Sequence, residues 1–264
     1  MTETPGKSPG NGGALAHVEA GTGDLTAVLI HGNFAGKSWW RELLADPPPG
    51  LRLIAPDLPG FGESTGDPDF TPSIPRYASS LAGFLDASGI RRPVLVGHSF
   101  GGAVAVQLAL SDPERFPAMF LLSPAPLTGL RTPRYVYPRL KGYRHDHRGL
   151  RRALRRTMIT HVPPYLDELV REAQMMHPAS FIGNARELSS WDVSTKARYF
   201  ENPVLVASGR RDTLVSPSSA SATAHAFPRG KYFDLGHVGH SPQIEAPRLT
   251  RSLLSQLVAV SLGG

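Results

Sequence analysis

The sequence predicts an α/β protein: a doubly wound, mostly parallel sheet carrying one inserted helical segment. Three observations predict it. Short apolar runs rich in β-branched residues recur along the chain, helical patterns alternate with them, and the alternation fails once, between Pro124 and Asn202. Strands buried on both faces read as near-continuous apolar runs, and regular strand–helix alternation is the mark of a parallel sheet covered by helices.

The elements follow in order. Residues 1–14 are rich in Gly, Pro and Ser and are expected to form a flexible N-terminal arm. This start lacks the basic opening and apolar middle of a secretory signal. Segment 15-LAHVE-19 fits an edge strand, and 26-TAVLI-30 and 52-RLIAP-56 fit buried ones. In 73-SIPRYASSLAGFLDASG-89, Tyr77, Leu81, Phe84 and Leu85 share one helical face. Ser73 suits the N-cap, Pro75 the first turn and Gly89 the end. The runs 93-PVLVG-97 and 118-AMFLLS-123 are the next strands. Helices are then expected around 148–160, 164–177 and 179–190. Strands at 203-PVLVAS-208 and 231-KYFDL-235 resume the pattern, and a last helix over 244–260 carries a stripe of Leu249, Leu253, Leu254 and Leu257. The resulting division is a core of residues 15–124 and 191–264 with a helical lid inserted at 125–190.

Composition narrows the function. The chain's 264 residues, 41% of them hydrophobic, suffice for one large domain. Cysteine is absent, which removes disulfides and thiolate chemistry and suits a reducing cytoplasm. No apolar run reaches the roughly 18 residues a membrane span requires. Ten of the 28 basic residues fall in 131–156 beside one acid, Asp146, so the rest of the chain is net acidic. That basic stretch reads either as a solvated helix face or as a surface for an anionic partner, a substrate carboxylate or an acidic carrier protein bearing a thioester. Nucleic acid does not fit, because no recognition motif accompanies the charge.

The most informative stretch is 95-LVGHSFGGAVAVQLAL-110. A strand ends in Gly97, Ser99 follows, and a helix begins near Phe100. So tight a turn needs small neighbours, which Gly97 and Gly101 supply. It lifts the serine hydroxyl above the sheet edge beside a helix N-terminus, where free N–H groups favour an anion. Acyl transfer needs that combination of exposed nucleophile and oxyanion donors.

The hexapeptide 97-GHSFGG-102 resembles the nucleophile elbow of the α/β-hydrolase superfamily. Four more segments resemble that family in its order: 28-VLIHGN-33, 56-PDLPGFGES-64, 206-VASGRRDTLVSP-217 and 239-GHSPQIEAP-247. The resemblance implies the α/β-hydrolase fold and a catalytic triad of Ser99, Asp212 and His240 in the chain order serine, acid, histidine. Some relatives carry the acid one strand earlier, but here that position, 121-LLSPAP-126, has no carboxylate. The other role open to Asp212 is an ion pair with Arg210 or Arg211. His237 rivals His240, but only His240 precedes S-P-Q-I-E-A-P. His237 is expected to line the approach or pack near the sheet edge, and His145 and His147 to lie on the lid surface.

The resemblance further implies an oxyanion hole of the Asn33 and Phe100 amides, with His31 bracing the turn. Asp57, Gly60, Gly62 and Ser64 read as structural. Phe34, His98, Trp191 and Val238 are candidates for the substrate pocket, and Phe34, Trp191 and Val238 equally suit ordinary core. A similar Asn binds halide in haloalkane dehalogenases, but those use an aspartate nucleophile, and this elbow holds a serine. No cofactor and no metal site is expected. The activity expected is hydrolysis of a carboxylic ester through an acyl-enzyme. Thioester, lactone or ketone C–C hydrolysis are alternatives for the same residues. A non-hydrolytic ligand-binding protein or a cyclase is the alternative from another class.

Overall fold

A computed structural model describes residues 15–64 and 66–262; the arm expected over 1–14 lies outside the described residues. Seven strands form one sheet: β1 (His17–Ala20), β2 (Leu25–Ile30), β3 (Leu51–Pro56), β4 (Val94–His98), β5 (Met119–Leu122), β6 (Val204–Ser208) and β7 (Gly230–Asp234). Their order is β1-β3-β2-β4-β5-β6-β7. Only β1 is antiparallel, pairing His17 with Pro56 at the edge. Among the described residues ten α-helices accompany them: α1 (Arg41–Ala45), α2 (Ile74–Ala87), α3 (Phe100–Ser111), α4 (Tyr137–Gly142), α5 (His147–Arg156), α6 (Leu166–Gln174), α7 (Ser180–Ser190), α8 (Pro217–His225), α9 (Pro242–Glu245) and α10 (Pro247–Leu262).

The strand alternation sorts the core onto two faces. Val28 and Ile30 of β2 join one cluster with α2, α3 and α8, while Ala27 and Leu29 join another with α10. Every residue of β4 and β5 is buried, as a parallel strand covered on both sides demands. On α2, Tyr77, Leu81, Phe84 and Leu85 are all buried, each contributing about 1.5–3 kcal/mol by leaving water. Gly89, at φ +67°, closes that helix, with the Ile90 amide donating back to Leu85.

Strand order reverses between β2 and β4: β3 lies beyond β2 on one side and β5 beyond β4 on the other. Ligands in open α/β sheets bind at the carboxyl ends of strands beside such a switch point. Ser99 follows β4 there, and Asn33 follows β2.

Several local expectations are corrected. The helix expected over 244–260 is two helices, α9 and α10, because the ring of Pro247 forces Ala246 out of the helical region to φ −138°. Leu249 is exposed, whereas Leu253, Leu254 and Leu257 are buried in the cluster that holds Ala27 and Leu29 of β2. Ser73 makes no side-chain cap on α2; Glu187 of α7 accepts the Ile74 amide instead, at 3.2 Å. Helices α1, α4 and α8 were not expected.

Between β5 and β6 the chain runs through α4–α7; the apolar faces of α5 and α6 form a separate cluster with Trp39 and Ile244 of the core, whereas Phe181 and Leu188 of α7 join the main core. Glu172 of α6 reaches under the turn after β2, its Oε1 accepting the Ser38 amide at 3.2 Å. Gly36 has no room for a side chain because that carboxylate fills the space. Burial, then the nearby charge of Asp57, raises the Glu172 carboxyl to about 7.

Candidate active site

Ser99 sits at φ +53°, ψ −117°, a conformation that costs a non-glycine residue about 1–3 kcal/mol. The surroundings hold it there. Its amide donates to Leu122 O at 3.0 Å, and its carbonyl accepts from Gly102 and Ala125 at 2.9 and 3.1 Å. A β-carbon on Gly97 would lie 2.7 Å from Gly101 O, and one on Gly101 would collide with the carbonyls of Ile30 and His31. The elbow is therefore pressed against the end of β2, and the glycines are a packing requirement.

Two further turns deliver the acid and the histidine. Gly209 follows β6 and abuts the Val238 carbonyl so closely that a β-carbon would overlap it. Arg210 and Arg211 amides donate to Gly236 O and Val238 O at 2.7 and 3.1 Å. These backbone bonds lace the loop bearing Asp212 to the loop bearing His240.

The result is a continuous hydrogen-bonded line. His240 Nδ1 lies 2.8 Å from Asp212 Oδ2, and His240 Nε2 lies 2.9 Å from Ser99 Oγ. A carboxylate accepts, so Nδ1 carries the proton and Nε2 is left to accept from the serine hydroxyl. Asp212 Oδ1 accepts the Leu214 and Val215 amides at 2.8 and 2.9 Å. Burial opposes charge on Asp212, but the His240 contact and those two amides outweigh it and hold its carboxyl below the ordinary range. Arg210 pairs with Asp234 instead, so the ion-pair role for Asp212 does not arise from that arginine. Asp212 and His240 are buried while Ser99 is half-exposed, an arrangement suited to a reachable nucleophile with a shielded base.

The turn after β2 lies against the serine: a β-carbon on Gly32 would be 3.3 Å from Ser99 Cβ. His31 braces it, Nδ1 donating to Gly32 O at 2.9 Å and Nε2 accepting from the Leu58 amide at 3.0 Å. Burial lowers the pKa of His31 and favours this neutral form. Among the described residues, neither the Asn33 nor the Phe100 amide has an intramolecular acceptor, as the first amide of a helix lacks one by construction. The loop after β3 is held by Asp57, which accepts from the Lys37 amide and Nζ, both at 2.8 Å, and from the Glu63 amide at 3.0 Å.

The pocket candidates are placed differently from one another. Phe34, at φ +53°, packs edge-on to Tyr143 of the inserted segment and Phe181 of α7. Trp191 is buried in the main core and donates to Gln107 Oε1 at 3.1 Å. Val238 belongs to the core cluster under α10. His98 is 3% exposed, stacked on Trp39, and its Nε2 donates to His240 O at 2.7 Å. Burial, then the proximity of His240, lowers His98 to about 3, so it is a neutral strut beneath the histidine loop. His237, expected near the approach or the sheet edge, is exposed. His147 is half-buried, its ring nitrogens 3.1 and 3.3 Å from Gln174 and Asp167, and His145 is exposed. Among the described residues no cluster of His, Asp and Glu has the makings of a metal site.

Sequence reasoning missed two residues. Asn184 of α7 donates to Asn33 Oδ1 at 3.0 Å and accepts from Tyr77 OH at 2.8 Å, so it fixes the side chain next to the turn. Glu245 gathers five donors: Gly239 N, Ser241 N, Ile159 N, Thr160 N and Thr160 Oγ1, at 2.7–3.3 Å. It thereby clamps both flanks of His240 to the end of α5, while the His240 amide donates to Thr157 O. Nothing in the sequence marks Asn184, but Glu245 lies inside the quoted S-P-Q-I-E-A-P. Glu245→Ala strands several amides at once, each costing about 1–3 kcal/mol where water cannot replace the partner. A loss of roughly 2–4 kcal/mol in urea unfolding is expected, and a loss below about 1 kcal/mol would show that water replaces the clamp.

Comparison with known proteins agrees with this fold. A family model described as alpha/beta hydrolase fold matches residues 28–247. A 2-hydroxymuconate semialdehyde hydrolase of Pseudomonas putida is 32% identical over 220 residues, 76% of this chain and 74% of that protein. A 2-hydroxy-6-oxononadienedioate/2-hydroxy-6-oxononatrienedioate hydrolase of Paraburkholderia phymatum is 28% identical over 263 residues, 90% and 89% of the two chains. A thermophilic esterase from Thermogutta terrifontis shares the fold with a TM-score of 0.77 at 22% identity, over 94% of this chain and 93% of that one.

Proposed function

Because the chain belongs to the α/β-hydrolase family, we propose that it is a serine hydrolase cleaving a carboxylic ester through an acyl-enzyme on Ser99. The observation carrying this reading is the line Ser99–His240–Asp212, with its 2.9 and 2.8 Å contacts, on a strained and reachable elbow. His240 Nε2 takes the hydroxyl proton as Ser99 Oγ attacks the acyl carbon, and Asp212 stabilises the imidazolium. The Asn33 and Phe100 amides receive the oxyanion. His240 then protonates the departing alcohol. Water, deprotonated by His240, attacks the acyl carbon in turn, and the acid leaves as Ser99 regains its proton.

Residues 125–190 act as the lid in this proposal, setting acyl shape through Phe181 and Asn184, which meet Phe34 and Asn33. The absence of cysteine fits a cytoplasmic site of action. A second reading has a specific support. The two curated relatives above are hydrolases of a muconate semialdehyde and of oxo-dienedioates, so the same residues could hydrolyse the C–C bond of such a ketone.

The test compares kcat/KM for a 4-nitrophenyl acyl ester, a γ-lactone, a pantetheine thioester and 2-hydroxymuconate semialdehyde, with acid-quenched intact mass to trap an acyl adduct. The ester is expected to lead by at least about tenfold and to leave its acyl group on Ser99. A tenfold lead for the semialdehyde establishes the second reading. No turnover of any of them, with ligands still raising Tm, establishes a binding protein.

A further inference from the structure

The ten basic residues of 131–156 are not equivalent. Arg151 is paired with Asp167 at 2.8 Å. Arg139 of α4 and Arg152 and Arg156 of α5 instead line one hollow of about 240 Å³, together with Tyr143, Asp146, Gly149 and Ala153. Among the described residues, none of these three arginines has a carboxylate within ion-pair distance.

The hollow is built by small residues at helical spacing. Gly149 and Ala153 lie one turn apart on the face that also carries Arg152 and Arg156. Gly149 is bare because the Asp146 side chain occupies the place of its β-carbon. That carboxylate is itself spent as the cap of α5, accepting the Gly149 amide at 2.8 Å. It is the hollow's one acidic group, and its remaining oxygen, Oδ2, sits against Gly149.

Three arginines thus line one concavity with a single, already engaged carboxylate. Like charges around one hollow repel one another, and a dianion bound there relieves the repulsion. The planar donor fork of arginine matches phosphate oxygens two at a time.

We propose that the hollow between α4 and α5 binds a phosphate-type oxyanion, free or as one end of a larger molecule. Its wall Tyr143 packs edge-on to Phe34, whose neighbour Asn33 begins the turn beside Ser99. A phosphate carried by the acyl substrate would then lie across Tyr143 and Phe34 from the turn beside Ser99; this extension rests on the hydrolase reading above, whereas the anion site does not.

The first arm titrates inorganic phosphate into the full chain by calorimetry at low ionic strength, where screening is least. Saturable one-site binding is expected, at least about tenfold weaker in Arg152→Gln/Arg156→Gln and unchanged in Arg198→Gln, which removes an arginine stacked on Tyr199 elsewhere. Absence of saturable binding, or equal binding in the double variant with an unchanged circular-dichroism spectrum, overturns the site. The second arm compares kcat/KM for butyryl-pantetheine and butyryl-4′-phosphopantetheine. A tenfold advantage for the phosphorylated thioester that disappears in the double variant assigns the phosphate to the substrate. Equal rates with phosphate binding intact assign a free ligand. Failure of both thioesters to turn over bears on the hydrolase reading alone, since the first arm reads binding without chemistry.

Discussion

Ser99→Ala is expected to lower turnover of the best ester by about 10⁵–10⁶-fold and to abolish the mass adduct left by a fluorophosphonate probe. The size follows from the line of hydrogen bonds. With Oγ gone, His240 has no proton to accept and Asp212 no imidazolium to stabilise, so the three contributions vanish together. What remains is the binding and polarisation supplied by the turn amides, which on their own still exceed uncatalysed hydrolysis by about 10³–10⁴-fold. The fold should survive. The bonds that fix the elbow run through the Ser99 amide and carbonyl, and alanine keeps both. Native-like circular dichroism and Tm with the adduct lost is the expected pair of results. An adduct that persists and maps elsewhere would sink the assignment of Ser99.

How far the sequence discloses this protein depends on the range of the interaction. The strands are legible because burial on both faces leaves unbroken apolar runs, as in β4 and β5. Helix α8 is not, since 217-PSSASATAH-225 packs through Ala220, Thr223 and Ala224 and shows no apolar stripe. The break at Ala246 follows a local rule, the effect of Pro247 on its predecessor, and the apolar periodicity of 244–260 runs straight across it. Ser99, Asp212 and His240 stand in motifs whose glycines are forced by close backbone approach, so local sequence points to them. The partners of Glu245 just after α5 and the Asn184–Asn33 contact join residues 85 to 151 positions apart, and no local pattern records such pairs. His98 shows the same limit: its place in the elbow motif suggests the pocket, but the His240 carbonyl 142 residues away takes its donor.

Asp212→Asn tests the other end of the line and is expected to lower kcat by about 10⁴-fold with little change in KM. The cause is a tautomer. An asparagine amide that donates to His240 Nδ1 leaves the proton on Nε2, which then cannot accept from Ser99. Stability should change with a definite pH dependence. Burial opposes the charge of Asp212, yet His240 and the Leu214 and Val215 amides hold its folded pKa below the ordinary value. A depressed carboxyl stabilises the fold fully above its unfolded pKa of about 3.9 and loses that contribution as pH falls through the lower folded value. The difference in urea stability between wild type and Asp212→Asn should therefore lose the Asp212 carboxylate's contribution as pH falls below about 4. Among the described residues no other carboxylate touches His240, so nothing stands ready to take over its orientation. A kcat within tenfold of wild type would mean that His240 reaches the productive tautomer unaided, and the line of hydrogen bonds would then describe packing more than chemistry.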